Sequence, residues 1–132
     1  MDTRFDLRRA DFSAAAARLL ELSPLDPTDV VRDATIRRFR FTFEACWKSL
    51  QAWFAIRGLV PGSPKAVLTA AFREGLIIDE PGTDAWLDML NDRNMTSHAY
   101  NADLAAGILE SIRARHCGQL AAMAERVARM EP

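Results

Sequence analysis

A short polar run near residue 95 carries side chains that could act together on a phosphate group. It includes Arg93, Asn94, His98 and Tyr100. Histidine gives and takes protons readily near neutral pH, and arginine holds phosphate with a fixed fork of donors. Together they could cleave RNA without a metal: His98 would take the proton of the 2′-hydroxyl, and Arg93 would stabilise charge growing on the phosphate.

The spacing of these residues sets a condition on the local backbone. On an unbroken helix, Arg93 and His98 would project roughly 140° apart. His98 and Tyr100 would lie on opposite sides of a helix but on the same side of an extended segment. If the three converge, the helix must break between Arg93 and Tyr100, where Asn94 and Ser97 can bond to the backbone. Tyr100 would then stack on a base, or offer its hydroxyl as a nucleophile or acceptor.

The same residues also have ordinary structural explanations. Arg93 would suit the last turn of a helix, where a positive charge interacts favourably with the helix dipole. His98 fits a partly exposed turn, and Tyr100 fits an aromatic anchor in front of the next helix. A histidine and an arginine at this spacing occur by chance in many proteins, so spacing alone leaves both interpretations open.

Helical periodicity surrounds the polar run and predicts an all-α fold. Apolar residues recur at helical spacing, and only residues 76–78 look strand-like. The 132 residues fit one domain, residues 1–132, built as an up-and-down bundle of about five helices. The first predicted helix ends at Ser23–Pro24, and the second spans 29–57 with Gly58 as its stop. The third runs from Ser63–Pro64 to Gly75. After a turn at Pro81–Gly82, Thr83 caps the fourth helix, and the last helix starts at Asn101.

The second predicted helix is apolar on more than one face. Its main stripe is Ile36, Phe39, Phe43, Trp47, Leu50 and Phe54, and a second set is Phe41, Ala45, Ala52 and Ile56. A helix with two apolar faces is buried on both. The second face predicts either a subunit interface or a surface that the chain itself covers.

The amino-acid composition and net charge of the chain argue against several classes of function. The chain is 49% hydrophobic and 27% charged with a net charge of −1, so it has no general attraction to nucleic acid or anionic lipid. We expect a cytoplasmic protein with two free thiols, no membrane span and no DNA partner. Two histidines and two cysteines scattered over the chain make a metal site improbable. The basic cluster Arg37, Arg38 and Arg40 is either an RNA-backbone contact or a solvated face.

Three segments resemble the nucleotidyltransferase substrate-binding proteins within the HEPN family of helical domains. They are FRFTFEACWK at 39–48, SPK at 63–65 followed by AFREGLI at 71–77, and WLDMLNDRNMTSHAYN at 86–101. The HEPN signature is an arginine, four to six residues, and then a histidine, which here would be Arg93 and His98. Asn94 supplies the polar residue favoured after the arginine, and His98 and Tyr100 match the His-x-Tyr of the toxin members.

The resemblance implies a homodimer in which two such motifs face each other across a cleft. It implies metal-independent endoribonuclease activity with Arg93 and His98 as catalytic residues and Asn94 and Tyr100 in support. It also implies neutralisation by a minimal nucleotidyltransferase that attaches adenylate to Tyr100. That partner would use ATP and magnesium, whereas this chain itself would need no cofactor. A non-catalytic substrate-binding subunit of the nucleotidyltransferase is the alternative, so whether the chain is an enzyme stays open here.

Overall fold

The computed structural model describes residues 3–77 and 80–132, with the side chains of 80–83 excepted, and this part of the chain is an all-α bundle. The helices are α1 (Arg4–Leu22), α2 (Asp29–Ile56), α3 (Pro64–Arg73), α4 (Glu80–Met95), α5 (Ala102–Ser111) and α6 (Cys117–Ala128). A π-helical turn, Ile112–His116, joins α5 to α6 without interruption, so the two form one C-terminal rod. The predicted bundle of about five helices is confirmed.

Local chemistry explains most of the helix ends. The side chains of Thr28, Ser63 and Asn101 each accept a hydrogen bond from a backbone N–H of the first turn that follows, at 3.1–3.2 Å. Caps of this kind typically stabilise a helix by about 1 kcal/mol. Gly58 and Gly75 follow α2 and α3 with φ values of 78° and 75°, a left-handed conformation that favours glycine.

The start of α4 differs from the sequence prediction. We expected a turn at Pro81–Gly82 and a cap at Thr83, but α4 already begins at Glu80. Proline is tolerated in the first turn of a helix because its missing N–H would have no partner there. Residues 76–78 look strand-like in the sequence but were not expected to form a sheet; Leu76 and Ile77 lie in a bend with buried side chains, and Ile78 lies outside the described residues.

The central helix of the bundle is α2, which contacts α1, α3, α4, α5 and α6. Its main apolar stripe is buried as predicted, with Trp47 half-buried. Of its second face, Ala52 is buried and Ala45 is half-buried, whereas Phe41 and Ile56 are 57% and 50% exposed. The chain therefore covers only part of the second face. Among the described residues, none of the helices has the length and apolarity needed to cross a bilayer.

Candidate functional site

The polar run lies at a break between α4 and α5. After Met95 the chain makes one 3₁₀ turn, Thr96–His98, before Asn101 caps α5. The Thr96 hydroxyl donates to the Arg93 carbonyl at 2.7 Å. Side-chain bonds of this kind satisfy carbonyls at a helix end and so favour termination there. The predicted break between Arg93 and Tyr100 is thus confirmed, although it is a tight turn rather than an extended segment.

Arg93 leaves the last turn of α4 and reaches α2. Its Nη2 forms an ion pair with the Glu44 carboxylate, and its Nη1 donates to the Asn94 side-chain oxygen at 3.1 Å. Glu44 also accepts a hydrogen bond from the Trp47 indole at 3.0 Å, and the Arg93 guanidinium lies 5.9 Å from the Phe43 ring centroid. The half-buried guanidinium is therefore fixed in direction by contacts on two sides.

Glu44 has a different partner from the one that helical spacing suggests. Glu44 and Lys48 are four residues apart and could pair along α2. The carboxylate instead holds Arg93 and Trp47, while the Lys48 ammonium lies 5.9 Å from the Trp47 ring centroid. Residues 39–48 and 86–101 both belong to the segments that carry the family resemblance. Sequence alone did not show that Glu44 and Arg93 would meet.

His98 and Tyr100 are neighbours on the surface. Their ring centroids are 6.3 Å apart in an edge-on arrangement, as the prediction of a shared side requires. Tyr100 is 87% exposed, so its hydroxyl is open to a large reactant. His98 is exposed as well. A histidine in water beside a tyrosine can exchange protons with a bound ligand, but it does so without the shielding of a closed site.

A groove of about 760 Å³ runs between α2 and the break. It brings together three cationic, two acidic and two aromatic residues, namely Arg37, Arg40, Arg93, Asp33, Glu44, Phe41 and Tyr100. Ile36, Thr96 and Ala99 complete its lining. Cationic side chains with exposed aromatic rings form a surface that can hold phosphates and stack bases. His98 does not line this groove and approaches it through the neighbouring ring of Tyr100.

The basic cluster on α2 divides between two surfaces. Arg37 and Arg40 are three residues apart, share a helix face and line the groove. Arg38 turns toward α1 instead, where it donates to the Arg18 carbonyl at 2.7 Å and pairs with Glu21 at 3.3 Å. RNA contacts by these arginines stay a prediction, for which Arg37 and Arg40 are the better placed.

A buried contact between α4 and the π-helical turn was not predicted. His116 is 1% exposed, and its Nε2 lies 2.7 Å from a carboxylate oxygen of Asp92. Its ring stacks on Phe39 with centroids 5.3 Å apart. In the sequence, His116 was only one of the four scattered histidines and cysteines that make a metal site improbable. Residues 24 positions apart give no local signal of contact.

The cysteines do not supply a nucleophile. Cys46 and Cys117 are buried free thiols, as predicted. Burial raises the pKa of both, and for Cys117 the nearby Arg113 partly opposes this effect. Little reactive thiolate is then present at neutral pH. Within the described part of the chain, no three His, Cys, Asp or Glu side chains are grouped so that they could hold a metal ion.

Comparisons with known proteins agree with the resemblance in the sequence. The family described as "Nucleotidyltransferase substrate binding protein like" matches residues 7–129. A protein from Thermus thermophilus with a crystal structure is 42% identical, with a TM-score of 0.74 over 89% of this chain and 95% of that chain. None of the curated proteins matches the sequence. The family match confirms the likeness to nucleotidyltransferase substrate-binding proteins.

Proposed function

Because this chain belongs to the nucleotidyltransferase substrate binding protein family, we propose that it is the HEPN-type partner of a minimal nucleotidyltransferase. We propose further that it is the toxin of the pair, an endoribonuclease that needs no metal. The observation that carries this proposal is the groove beside His98. It joins Arg93, Arg37 and Arg40 with the exposed ring of Tyr100.

The proposed reaction is an internal transesterification of RNA. His98 takes the proton of a 2′-hydroxyl, and the 2′-oxygen attacks the adjacent phosphorus. The bond from phosphorus to the 5′-oxygen breaks, and that oxygen takes a proton from water. The hydroxide left by that water takes the proton from His98, which restores the free base. The products are a 2′,3′-cyclic phosphate and a 5′-hydroxyl, so no oxidant or metal is needed. Arg93 stabilises the charge on the phosphoryl oxygens, and Arg37 and Arg40 hold neighbouring phosphates.

One observation favours the second candidate function, a non-catalytic binding subunit. The charge of Arg93 is already matched by Glu44, and His98 stands outside the lining of the groove. An RNA phosphate must therefore compete with a carboxylate for Arg93, which weakens both binding and charge stabilisation. A subunit that only presents a substrate, or itself, to the nucleotidyltransferase requires no such exchange.

Two measurements on the purified protein separate these functions. We expect RNA incubated with the protein in excess EDTA to yield fragments ending in 2′,3′-cyclic phosphate, because no metal takes part. We also expect the protein to co-purify with a minimal nucleotidyltransferase encoded beside it. RNA that stays intact, combined with stable binding to that enzyme, would establish the binding subunit instead. Failure to bind any such enzyme would contradict both functions.

We also propose a homodimer that forms through the uncovered part of α2. Phe41 is 57% exposed, and because it lines the groove, contact there would bring two grooves together. We expect sedimentation at tens of micromolar to give a dimer, and Phe41→Glu to give a monomer because an unpaired carboxylate would be buried at the contact. Leu7→Glu is the matched control, since Leu7 is also 57% exposed but lies on α1. A wild-type monomer would contradict the dimer.

A further inference from the structure

The buried pair of His116 and Asp92 is connected to the groove through Arg93. Asp92 and Arg93 are consecutive residues in the last turn of α4, and side chains of consecutive helical residues point about 100° apart. Asp92 is directed to His116 in the core, and Arg93 to Glu44 on α2. These two contacts hold the same helical turn from two directions.

The surface beneath this turn is formed by two phenylalanines on α2. The rings of Phe39 and Phe43 lie 6.4 Å apart on successive turns. His116 stacks on Phe39, and the Arg93 guanidinium lies over Phe43. Two contacts therefore lie side by side over the same apolar surface: His116 with Asp92, and Arg93 with Glu44. A rotation of α4 about its axis would break both.

The chemistry of the buried pair fixes its hydrogen bond. A carboxylate only accepts, so His116 must donate through Nε2. Its Nδ1 is buried and has no hydrogen-bond partner among the described residues. A buried pair with an unsatisfied atom is a weak source of stability, because apolar side chains of similar volume would often stabilise the core as well or better. The pair is better explained by its effect on geometry, because it favours one arrangement of the helices, than by a contribution to the stability of the fold.

The π-helical turn supplies the histidine to this arrangement. His116 is the last residue of the turn Ile112–His116, which contacts α4. Single π turns inside α-helices are rare and occur frequently beside functional sites. Here the widened turn coincides with the one buried histidine of the described chain.

We propose that Asp92 and His116 form a positioning pair, which sets the rotation of the last turn of α4 and so the direction of the Arg93 guanidinium. The consequence for RNA rests on the function proposed above, in which Arg93 stabilises the phosphate. The geometric part concerns only the folded protein, and it is tested without RNA.

The test measures rotation about the Nε–Cζ bond of Arg93 by ¹⁵N NMR, since Nη atoms held by Glu44 and Asn94 rotate slowly. His116→Phe keeps the stacked ring but removes the donor. We expect this rotation to become at least about tenfold faster, as it would if contacts worth about 1.4 kcal/mol were lost. Glu44→Gln should also accelerate it, which verifies the measurement. Unchanged rotation in folded His116→Phe would overturn the proposal.

Two matched variants separate positioning from general packing. His116→Gln loses the ring but keeps an N–H donor at a similar reach, so it should restore slow rotation. Asp88→Asn removes the exposed pair of Asp88 with Arg115, at 3.7 Å, between the same α4 and π-helical turn. That change should leave the rotation within about twofold, since exposed pairs contribute little. Fast rotation in folded His116→Gln would show that a hydrogen-bond donor at this position is not sufficient to hold the turn, and would overturn the proposal.

A measurement on the unmodified protein covers the case in which His116→Phe fails to fold. The chain has only two histidines, so the ¹⁵N spectrum of His116 can be assigned by comparison with His98→Ala. We expect a single neutral tautomer with the proton on Nε2, or the doubly protonated ring. A mixture of Nε2–H and Nδ1–H tautomers would overturn the proposal. None of these outcomes depends on RNA cleavage, so an inactive protein would contradict the proposed function alone.

Discussion

His98→Ala is expected to reduce RNA cleavage by about 10²–10⁴-fold, the usual contribution of a positioned general base. The affinity for RNA should change little, because the groove is lined by Arg37, Arg40 and Arg93 rather than by His98. The loss should therefore appear in kcat and hardly in KM. Single-turnover cleavage of a short labelled RNA, with binding measured separately by anisotropy, gives both quantities. Expression of the wild-type chain alone should arrest growth, and His98→Ala should relieve the arrest.

Ser97→Ala is the matched control for this substitution. Ser97 is exposed beside His98 in the same 3₁₀ turn, and its hydroxyl makes one long bond of 3.4 Å to the Asn94 carbonyl. Its removal should leave cleavage close to that of the wild type. Equal activity of His98→Ala and Ser97→Ala would contradict the role of His98 as the base. If neither the wild type nor any variant cleaves RNA, the binding-subunit function is favoured.

The ion pair of Glu44 with Arg93 would affect RNA binding in the same experiment. In the free protein the Glu44 carboxylate is paired with Arg93, which the proposed reaction needs for the phosphate. RNA binding would displace it, and the exchange replaces one charge-assisted bond with another rather than adding one. The pair thus keeps Arg93 oriented while the groove is empty, at a cost in affinity for phosphate. The same exchange would limit how strongly Arg93 could hold RNA in the proposed reaction.

Sequence patterns predicted the parts of this fold that depend on neighbouring residues. Helix caps at Ser63 and Asn101 and the glycine after α2 act within one turn of chain, so local chemistry determines them. The break after Met95 was likewise predictable from polar residues that bond to their own backbone. The start of α4 was not, because proline suits both a turn and the first turn of a helix.

Contacts between distant residues are what the sequence could not provide. Glu44 and Arg93 are 49 positions apart, and Asp92 and His116 are 24 apart. Each pair depends on how helices rotate and pack, which periodicity describes only as an apolar face. The three arginines at 37, 38 and 40 show the same limit. Their cluster was evident in the sequence, but the turn of Arg38 toward α1 depends on where α1 packs.

Tyr100→Phe is expected to abolish adenylylation of the chain by its partner nucleotidyltransferase. In the proposed modification, the Tyr100 hydroxyl oxygen attacks the α-phosphorus of ATP and loses its proton, and pyrophosphate leaves. Tyr100 is 87% exposed and lines the groove that contains Arg93. The attached adenylate would place a negative charge near Arg93 and fill the space that an RNA phosphate needs. Modification would therefore block RNA by charge and by bulk.

The chain has one tyrosine, so the assignment of this modification is direct. Mass spectrometry after incubation with the partner, ATP and magnesium should show one adenylate on wild-type protein and none on Tyr100→Phe. Phenylalanine keeps the ring, so this variant should retain RNA cleavage. It should not be inactivated by incubation with the partner and ATP. His98→Ala is the control, because it removes the proposed base but leaves the acceptor oxygen, and it should still be modified. Adenylate on Tyr100→Phe would show that another residue is the acceptor. Unmodified wild-type protein with an active partner would leave Tyr100 as a stacking residue and favour the binding subunit.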